Sequence, residues 1–258
     1  MDNASLRKLS NSYNVKRALS DEFWSAFIRE VGGSLTVGKR WLDLGCGSGR
    51  ILLPLAKHFP DARFLGIDVS NDMLSQVRAA ISTAAGPNNV DLVRADANVP
   101  IPISGVRFDG VCLFQTIHYL DMALIYGQLK RLVSDGALLV TASTTHDQLR
   151  NLPYCAFHQV LDYELARTPD ATEIESAARV NGYTVISKQD FEIHRRPMNR
   201  LEIDGFLRTL PYSALCVLDP MSLENAIAQA LAAVDANEGE TEFKADAFRL
   251  TVFRYDGS

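Results

Sequence analysis

The chain has 258 residues, 47% hydrophobic and 22% charged, with a formal net charge of −5. That is enough apolar material for one globular domain with a sizeable core, and it excludes a disordered, collagenous or coiled-coil chain. The acidic balance, with no basic stripe, argues against a partner recognised through phosphate neutralisation, so no nucleic acid is expected.

In chain order, a helix is predicted from Ser20 to Val31. Ser20 caps it, Asp21 and Glu22 suit the positive end of its dipole, and Gly32-Gly33 stop it. Arg40 to Leu44 reads as a buried strand, followed by a glycine loop and a helix through Phe59. Pro54 inside that helix implies a kink or an offset start. Arg63 to Asp68 is the second predicted strand, and Ser70 caps a helix with Met73, Leu74, Val77 and Ile81 on its apolar face. Asp91 to Ala95 and Phe108 to Phe114 are strands three and four. Ala123 to Val133 is helical, and Asp135-Gly136 turns the chain into strand five, Ala137 to Ala142.

Further on, Thr172 to Asn181 and Ser222 to Val234 read as helices, and Thr184 to Glu192 and Phe243 to Tyr255 alternate as strands. The segments 144–171 and 193–221 fit no regular period. The alternation of short apolar runs with helical patterns specifies an α/β fold, a mostly parallel sheet with helices on both faces. The unpatterned segments are expected to form a small helical cap over the sheet's carboxyl edge, where ligands of such folds bind.

The densest chemical signal is Asp43-Leu44-Gly45-Cys46-Gly47-Ser48-Gly49, between a predicted strand and a predicted helix. Closely spaced glycines let a ligand approach the backbone without a Cβ in the way. The dinucleotide fingerprint G-x-G-x-x-G is the rival reading, but here the third glycine comes one residue early and Arg50 stands in its place. A pyrophosphate would also be opposed by the carboxylate of Asp43, whereas the ammonium and sulfonium of S-adenosylmethionine (SAM) would be favoured by it.

With these residues in view, the sequence resembles the class I SAM-dependent methyltransferases, most nearly the small-molecule branch of the ubiquinone-biosynthesis and trans-aconitate type enzymes. The resemblance covers residues 40–143 well and the remainder loosely. It implies a Rossmann-like seven-stranded sheet whose last strand is antiparallel, and SAM as cofactor. It implies that Asp43, Gly45, Gly47 and Gly49 cradle the methionine part. Asp68, ending Leu65-Gly66-Ile67-Asp68, would bind the ribose hydroxyls, with Val69 and Met73 packing near the adenine. Asp96, in Arg94-Ala95-Asp96-Ala97, would accept from the adenine amino group, with the Ala97 backbone at the ring edge and Gln115 near the sulfonium.

Each aspartate taken alone also reads as a turn or helix-cap residue; the set of three, in register with the glycine loop, carries the functional reading. His118 follows strand four and is the candidate catalytic residue, a general base if the acceptor arrives protonated. Its other reading is a loop anchor. Tyr13 and Arg17 are candidates for an N-terminal lid, and Tyr13 for cofactor contact. Tyr154, Phe157 and Tyr163 read either as acceptor-pocket wall or as core, and Arg195, Arg196 and Arg200 as an acid receptor or a solvated surface.

The expectation is therefore a single methyltransferase domain over 1–258, with 1–35 as a helical lid and 144–171 and 193–242 as substrate-cap segments. It would transfer methyl from SAM to a small-molecule acceptor by in-line displacement, releasing S-adenosylhomocysteine. An intramolecular cyclase, an aminocarboxypropyl transferase, a non-catalytic SAM-binding protein and an NAD-dependent oxidoreductase remain as alternatives. No metal-ligand spacing surrounds His58, His146, His158 or His194, and Cys46, Cys112, Cys155 and Cys216 form no C-x-x-C pair. The polar N-terminus carries no signal-peptide core and no run approaches the roughly 20 apolar residues of a membrane span, so a cytoplasmic protein away from the membrane is expected. The oligomeric state is not specified.

Overall fold

The computed structural model describes residues 19–194, 199–209, 213–235 and 244–257. In chain order its main elements are α1 (Asp21–Val31), β1 (Arg40–Leu44), α2 (Leu52–His58), β2 (Arg63–Asp68), α3 (Asn71–Ile81), β3 (Val90–Arg94), β4 (Phe108–Phe114), α4 (Met122–Leu132) and β5 (Val133–Ser143). There follow α5 (His146–Arg150), α6 (His158–Arg167), α7 (Ala171–Val180), β6 (Tyr183–His194), α8 (Arg200–Arg208), α9 (Ser213–Cys216), α10 (Pro220–Asp235) and β7 (Lys244–Tyr255). The strands form one seven-stranded sheet in the order β3-β2-β1-β4-β5-β7-β6. β1 to β5 pair in parallel, and β7 runs antiparallel to β5 with Leu138 opposite Arg254 and Ser143 opposite Arg249. This is the expected α/β architecture.

Two compact units are distinguished by their contacts. Of the described residues, one comprises those of 20–143, 170–189 and 249–257; the other comprises Leu19 and those of 144–169 and 190–248.

In the first unit, residues alternate between the sheet's faces. Leu42, Leu44, Ile67, Val111 and Leu113 share a core with Ile125, Leu129 and Leu132 of α4, Ile174 and Ala178 of α7, and Tyr183, Phe253 and Tyr255. The intervening residues Trp41, Asp43, Gly66, Asp68, Gly110 and Cys112 belong to the opposite face. Trp41 lies so close over Gly110 that a Cβ there would sit 2.2 Å from the indole. A Cβ at Gly66 would meet Leu52 at 2.6 Å and Cys46 at 2.9 Å, so that glycine lets the loop after β1 and the start of α2 lie down on β2.

In the second unit, Leu149, Leu152, Tyr154, Phe157 and Val160 pack with Ile203, Leu207, Ile227 and Leu231 around a separate core. Thr145 with Gln148 and Asn199 with Glu202 form capping boxes at the starts of α5 and α8. The segments 144–171 and 193–221 therefore contain helices that the sequence period did not reveal. Turns as short as α5, at five residues, repeat the 3.6-residue stripe too few times for the pattern to register.

One further expectation is met and one is corrected. Of the two readings of Pro54, a kink or an offset start, the structure has the offset start. The helix starts late, at Leu52, so Pro54 is its third residue, in the first turn where an N–H has no intrahelical partner to lose. Asp135-Gly136 does not precede β5 but lies within it. Gly136 takes φ +76°, and the register jumps from Phe108 opposite Val133 to Gly110 opposite Leu138, so the turn residues form an irregularity inside the strand.

Candidate active site

Because β1 to β4 are parallel, the loops after their carboxyl ends emerge on one edge of the sheet. The chain proceeds from β1 outward through β2 to β3, then returns to β4 on the other side of β1. The glycine loop thus leaves the sheet at the point where strand order reverses, where ligands of open α/β sheets bind.

Residues 45–49 fold into a tight cradle. Gly45 N–H and Cys46 N–H both donate to the Ile67 carbonyl, at 2.8 and 2.9 Å, which pins the loop to β2. Gly45, Gly47 and Gly49 have φ of +76°, +53° and +83°, in the left-handed region that side-chain-bearing residues avoid. Their surroundings differ. A Cβ on Gly45 would strike Thr116 at 2.3 Å and one on Gly49 would strike Leu53 at 2.8 Å, whereas one on Gly47 would meet nothing within 4 Å among the described residues. Among those residues, Gly47 is the glycine of the three whose bare face is open.

Asp43 and Asp68 flank this cradle. Asp68 Oδ2 accepts the Gly47 N–H and Oδ1 the Ser70 N–H, both at 2.8 Å, so it braces the loop and the start of α3 together. Its carboxyl is held above the usual carboxylate range by burial, against the lowering effect of those backbone bonds. Asp43 is 5% exposed and its pKa is pushed up to about 7, first by burial and then by the charge of Asp68; the Leu52 N–H it accepts at the start of α2 opposes the rise. The buried thiols of Cys46 and Cys112 feel Asp43 and are themselves pushed up by burial. Burial leads for both acids and backbone N–H groups oppose it, while the charge of Asp68 adds to the rise at Asp43.

Asp96 follows β3, is exposed, and accepts the Asn98 N–H through Oδ1 at 2.8 Å. Asp68 and Asp96 thus make the local turn bonds that the plainer reading assigned them, while Asp43 accepts from the distant start of α2. A carboxylate has about four lone-pair sites, and one or two such bonds leave the others open. Val69 is 50% exposed beside Asp68, while Met73 is buried against α3's core face at 7%. Ala97 is half-buried against the core of the first unit.

At the end of β4, Gln115 has φ +52°, the one positive φ outside glycine among the described residues. Its N–H donates to the Ala142 carbonyl at 2.8 Å. The next residue, Thr116, is buried and donates its hydroxyl toward the Gly45 and Phe114 carbonyls, at 3.2 and 3.1 Å. That side chain occupies the place a Gly45 Cβ would need, so it locks the β4 exit onto the glycine loop. His118 lies half-buried in the 3₁₀ turn Ile117–Tyr119, its ring 4.1 Å from that of Tyr119.

Other expected contributors fall elsewhere. Tyr13, Arg17, Arg195 and Arg196 lie outside the described residues. Arg200 is in an ion pair with Asp235, so its charge is already matched on the surface. Tyr154 and Phe157 are buried in the core of the second unit, with Tyr163 packed against it, which fits their reading as core. Sequence reasoning missed Thr116, Asn98 and Gln128. A signal for Gln128 existed: it falls three residues after Ile125 and four before Leu132, a polar residue on the buried stripe of α4.

Residues 42–136 match the family described as methyltransferase domain. This part of the chain is similar to methyltransferase domains. Its resemblance to SAM-dependent methyltransferases is borne out by the relatives. Malonyl-[acyl-carrier protein] O-methyltransferase of Herminiimonas arsenicoxydans is 30% identical over 135 residues, 47% of this chain and 48% of that protein. Trans-aconitate 2-methyltransferase of Streptomyces avermitilis is 38% identical over 63 residues, 24% of this chain and 23% of the relative. A tRNA (guanine-N(7)-)-methyltransferase of Campylobacter jejuni strain RM1221 is 38% identical over 66 residues, 26% and 17% of the two chains.

The chain spans less than half the length of these relatives. Their names carry three unlike acceptors, so what they share with this chain does not choose among acceptors. The fold is shared with a SAM dependent methyltransferase from Aquifex aeolicus, with a TM-score of 0.59 and 16% identity over 98% of each chain. No helix among the described residues is long and apolar enough to cross a membrane.

Proposed function

We propose that the chain binds SAM on the glycine cradle and transfers its methyl group to a small-molecule acceptor. The observation that carries this reading is a carboxylate pair, buried Asp43 and half-buried Asp68, beside the open face of Gly47, with burial the leading cause of the raised pKa of each. Such a site repels a pyrophosphate and favours a guest that is positive near the loop. When bound, SAM would supply a methyl group on a sulfonium sulfur, a leaving group that needs no protonation.

The protein's part is binding, alignment and exclusion of water. A positive guest would favour the ionised form of Asp43, whose raised pKa leaves it partly protonated near neutrality, and the remaining lone pairs of Asp68 would accept from the ribose hydroxyls. Asp96 would accept from the adenine amino group, the Ala97 backbone would meet the ring edge, and Val69 and Met73 would offer apolar surface to the base. Gln115 stands at the methyl end. His118 lines the acceptor side and takes the acceptor's proton where the acceptor is protonated. Acceptor choice is assigned to segments 144–171 and 193–242, outside the matched residues.

Calorimetric titration with S-adenosylhomocysteine and with NADH tests the cofactor assignment: binding of the first and not the second is expected, and the reverse refutes it. Product analysis separates methyl transfer, which leaves S-adenosylhomocysteine, from other uses of SAM, which leave methylthioadenosine. His118→Ala should lower kcat far more than cofactor affinity; an unchanged kcat removes His118 from the mechanism.

A further inference from the structure

The loop joining β3 to β4 contains Asp96 and Ala97, and it has few hydrogen bonds of its own. Pro100 and Pro102 have no N–H to give. Its inner side is held instead by Gln128 of α4, which is 2% exposed. Gln128 Oε1 accepts the Ile101 N–H at 2.6 Å, and Nε2 donates to the carbonyls of Ala97 and Val99, both at 3.1 Å. One amide thus satisfies three loop backbone groups that would otherwise be stranded beside the core.

The outer side is held by Asn98. Its Nδ2 donates to the Tyr119 carbonyl at 3.0 Å and its Oδ1 accepts the Asp121 N–H at 2.8 Å. Those partners belong to the turn that contains His118 and to the N-cap of α4. The loop after β3 and the turn after β4 are therefore fastened to each other and to one helix. Asp96 itself is exposed, and among the described residues its side chain is held by the Asn98 N–H through Oδ1.

We propose that Gln128 and Asn98 are positioning residues for recognition of the purine base: they hold the Asp96–Ala97 segment at hydrogen-bonding distance from a 6-amino group. This rests on the reading of the cradle as an adenosyl site. Apolar contact with a base tolerates small displacements, whereas a directional hydrogen bond weakens steeply when its acceptor drifts. Loosening the loop should therefore remove discrimination at position 6 while sparing affinity for the purine in general.

The test compares S-adenosylhomocysteine with S-inosylhomocysteine, whose base carries a 6-oxo group in place of the amine, by titration calorimetry on the full chain. Gln128→Leu removes the inner anchor. Asn98→Ala, at an exposed position, removes the outer one without disturbing the core, so the test survives if Gln128→Leu does not fold. Each variant should lower the ratio of the two affinities roughly tenfold, about one neutral hydrogen bond, with the inosyl affinity changing less than about threefold on the same scale. A ratio equal to wild type in Asn98→Ala, or a parallel loss of both affinities, overturns the proposal. Wild-type protein that binds neither compound overturns it through the adenosyl reading, which fails with it.

Discussion

Replacing Asp43 by asparagine should leave stability nearly unchanged at pH 4 and raise it at pH 8. Asparagine keeps the shape of the side chain and an oxygen for the Leu52 N–H, but it cannot ionise. In the native chain the Asp43 carboxyl is raised from 3.8 to about 7, because burial and the neighbouring Asp68 both disfavour its charged form. The native state therefore holds a proton that the unfolded chain has released. That favourable difference is intact below pH 3.8 and is lost as the pH rises through 7. At 1.36 kcal/mol per pKa unit the loss amounts to about 4 kcal/mol between pH 4 and pH 8. Among the described residues, the titratable groups that couple to the carboxyl are Asp68 from β2, Cys46 from the loop and Cys112 from β4, and both thiols stay neutral over this range because their pKa values are pushed up. Urea unfolding of both proteins at half-unit pH steps gives the assay. The stability of Asp43→Asn relative to wild type should climb through this window and flatten above pH 7. A difference that is constant with pH, or an asparagine variant that loses stability relative to wild type as pH rises, would refute the account of a cradle built on a buried acid.

Two other substitutions separate architecture from binding. Gly47→Ala places a methyl group in open space at φ +53°, so folding should suffer only the left-handed strain of about 1–2 kcal/mol, a fall in Tm of a few degrees. Affinity for S-adenosylhomocysteine should fall at least ~10-fold, because that methyl group lies where the ligand approaches; equal affinity would move the ligand off Gly47. Asn89→Ala strands the carbonyls of Ala56, Phe59 and Ala62, all of which accept from Asn89 Nδ2 at 3.0–3.1 Å. A stability loss of about 2–3 kcal/mol in urea is expected, and a loss below ~0.5 kcal/mol would show that water replaces the amide.

The chain wrote its parallel strands and their order of appearance into local pattern. Apolar runs such as Arg40 to Leu44 and Phe108 to Phe114 form strands with the expected bounds, and Ser20 and Ser70 cap the helices they precede. The Asp43 to Gly49 loop was equally legible, because left-handed backbone selects glycine and a strand end beside it selects the acid's position. These features depend on a residue and its near neighbours in sequence.

The remainder depended on who meets whom in space. No local rule says that Asp43 and Asp68 sense each other across paired strands, that Thr116 fills the room Gly45 leaves, or that Gln128 on a helix serves a loop thirty residues earlier. The short helices of the second unit are likewise stabilised by a shared core rather than by their own period. Periodicity and turn chemistry fix backbone conformation through neighbours along the chain. Burial, charge coupling and the satisfaction of stranded backbone groups arise only when distant segments exclude water from one another, and only the tertiary structure decided those.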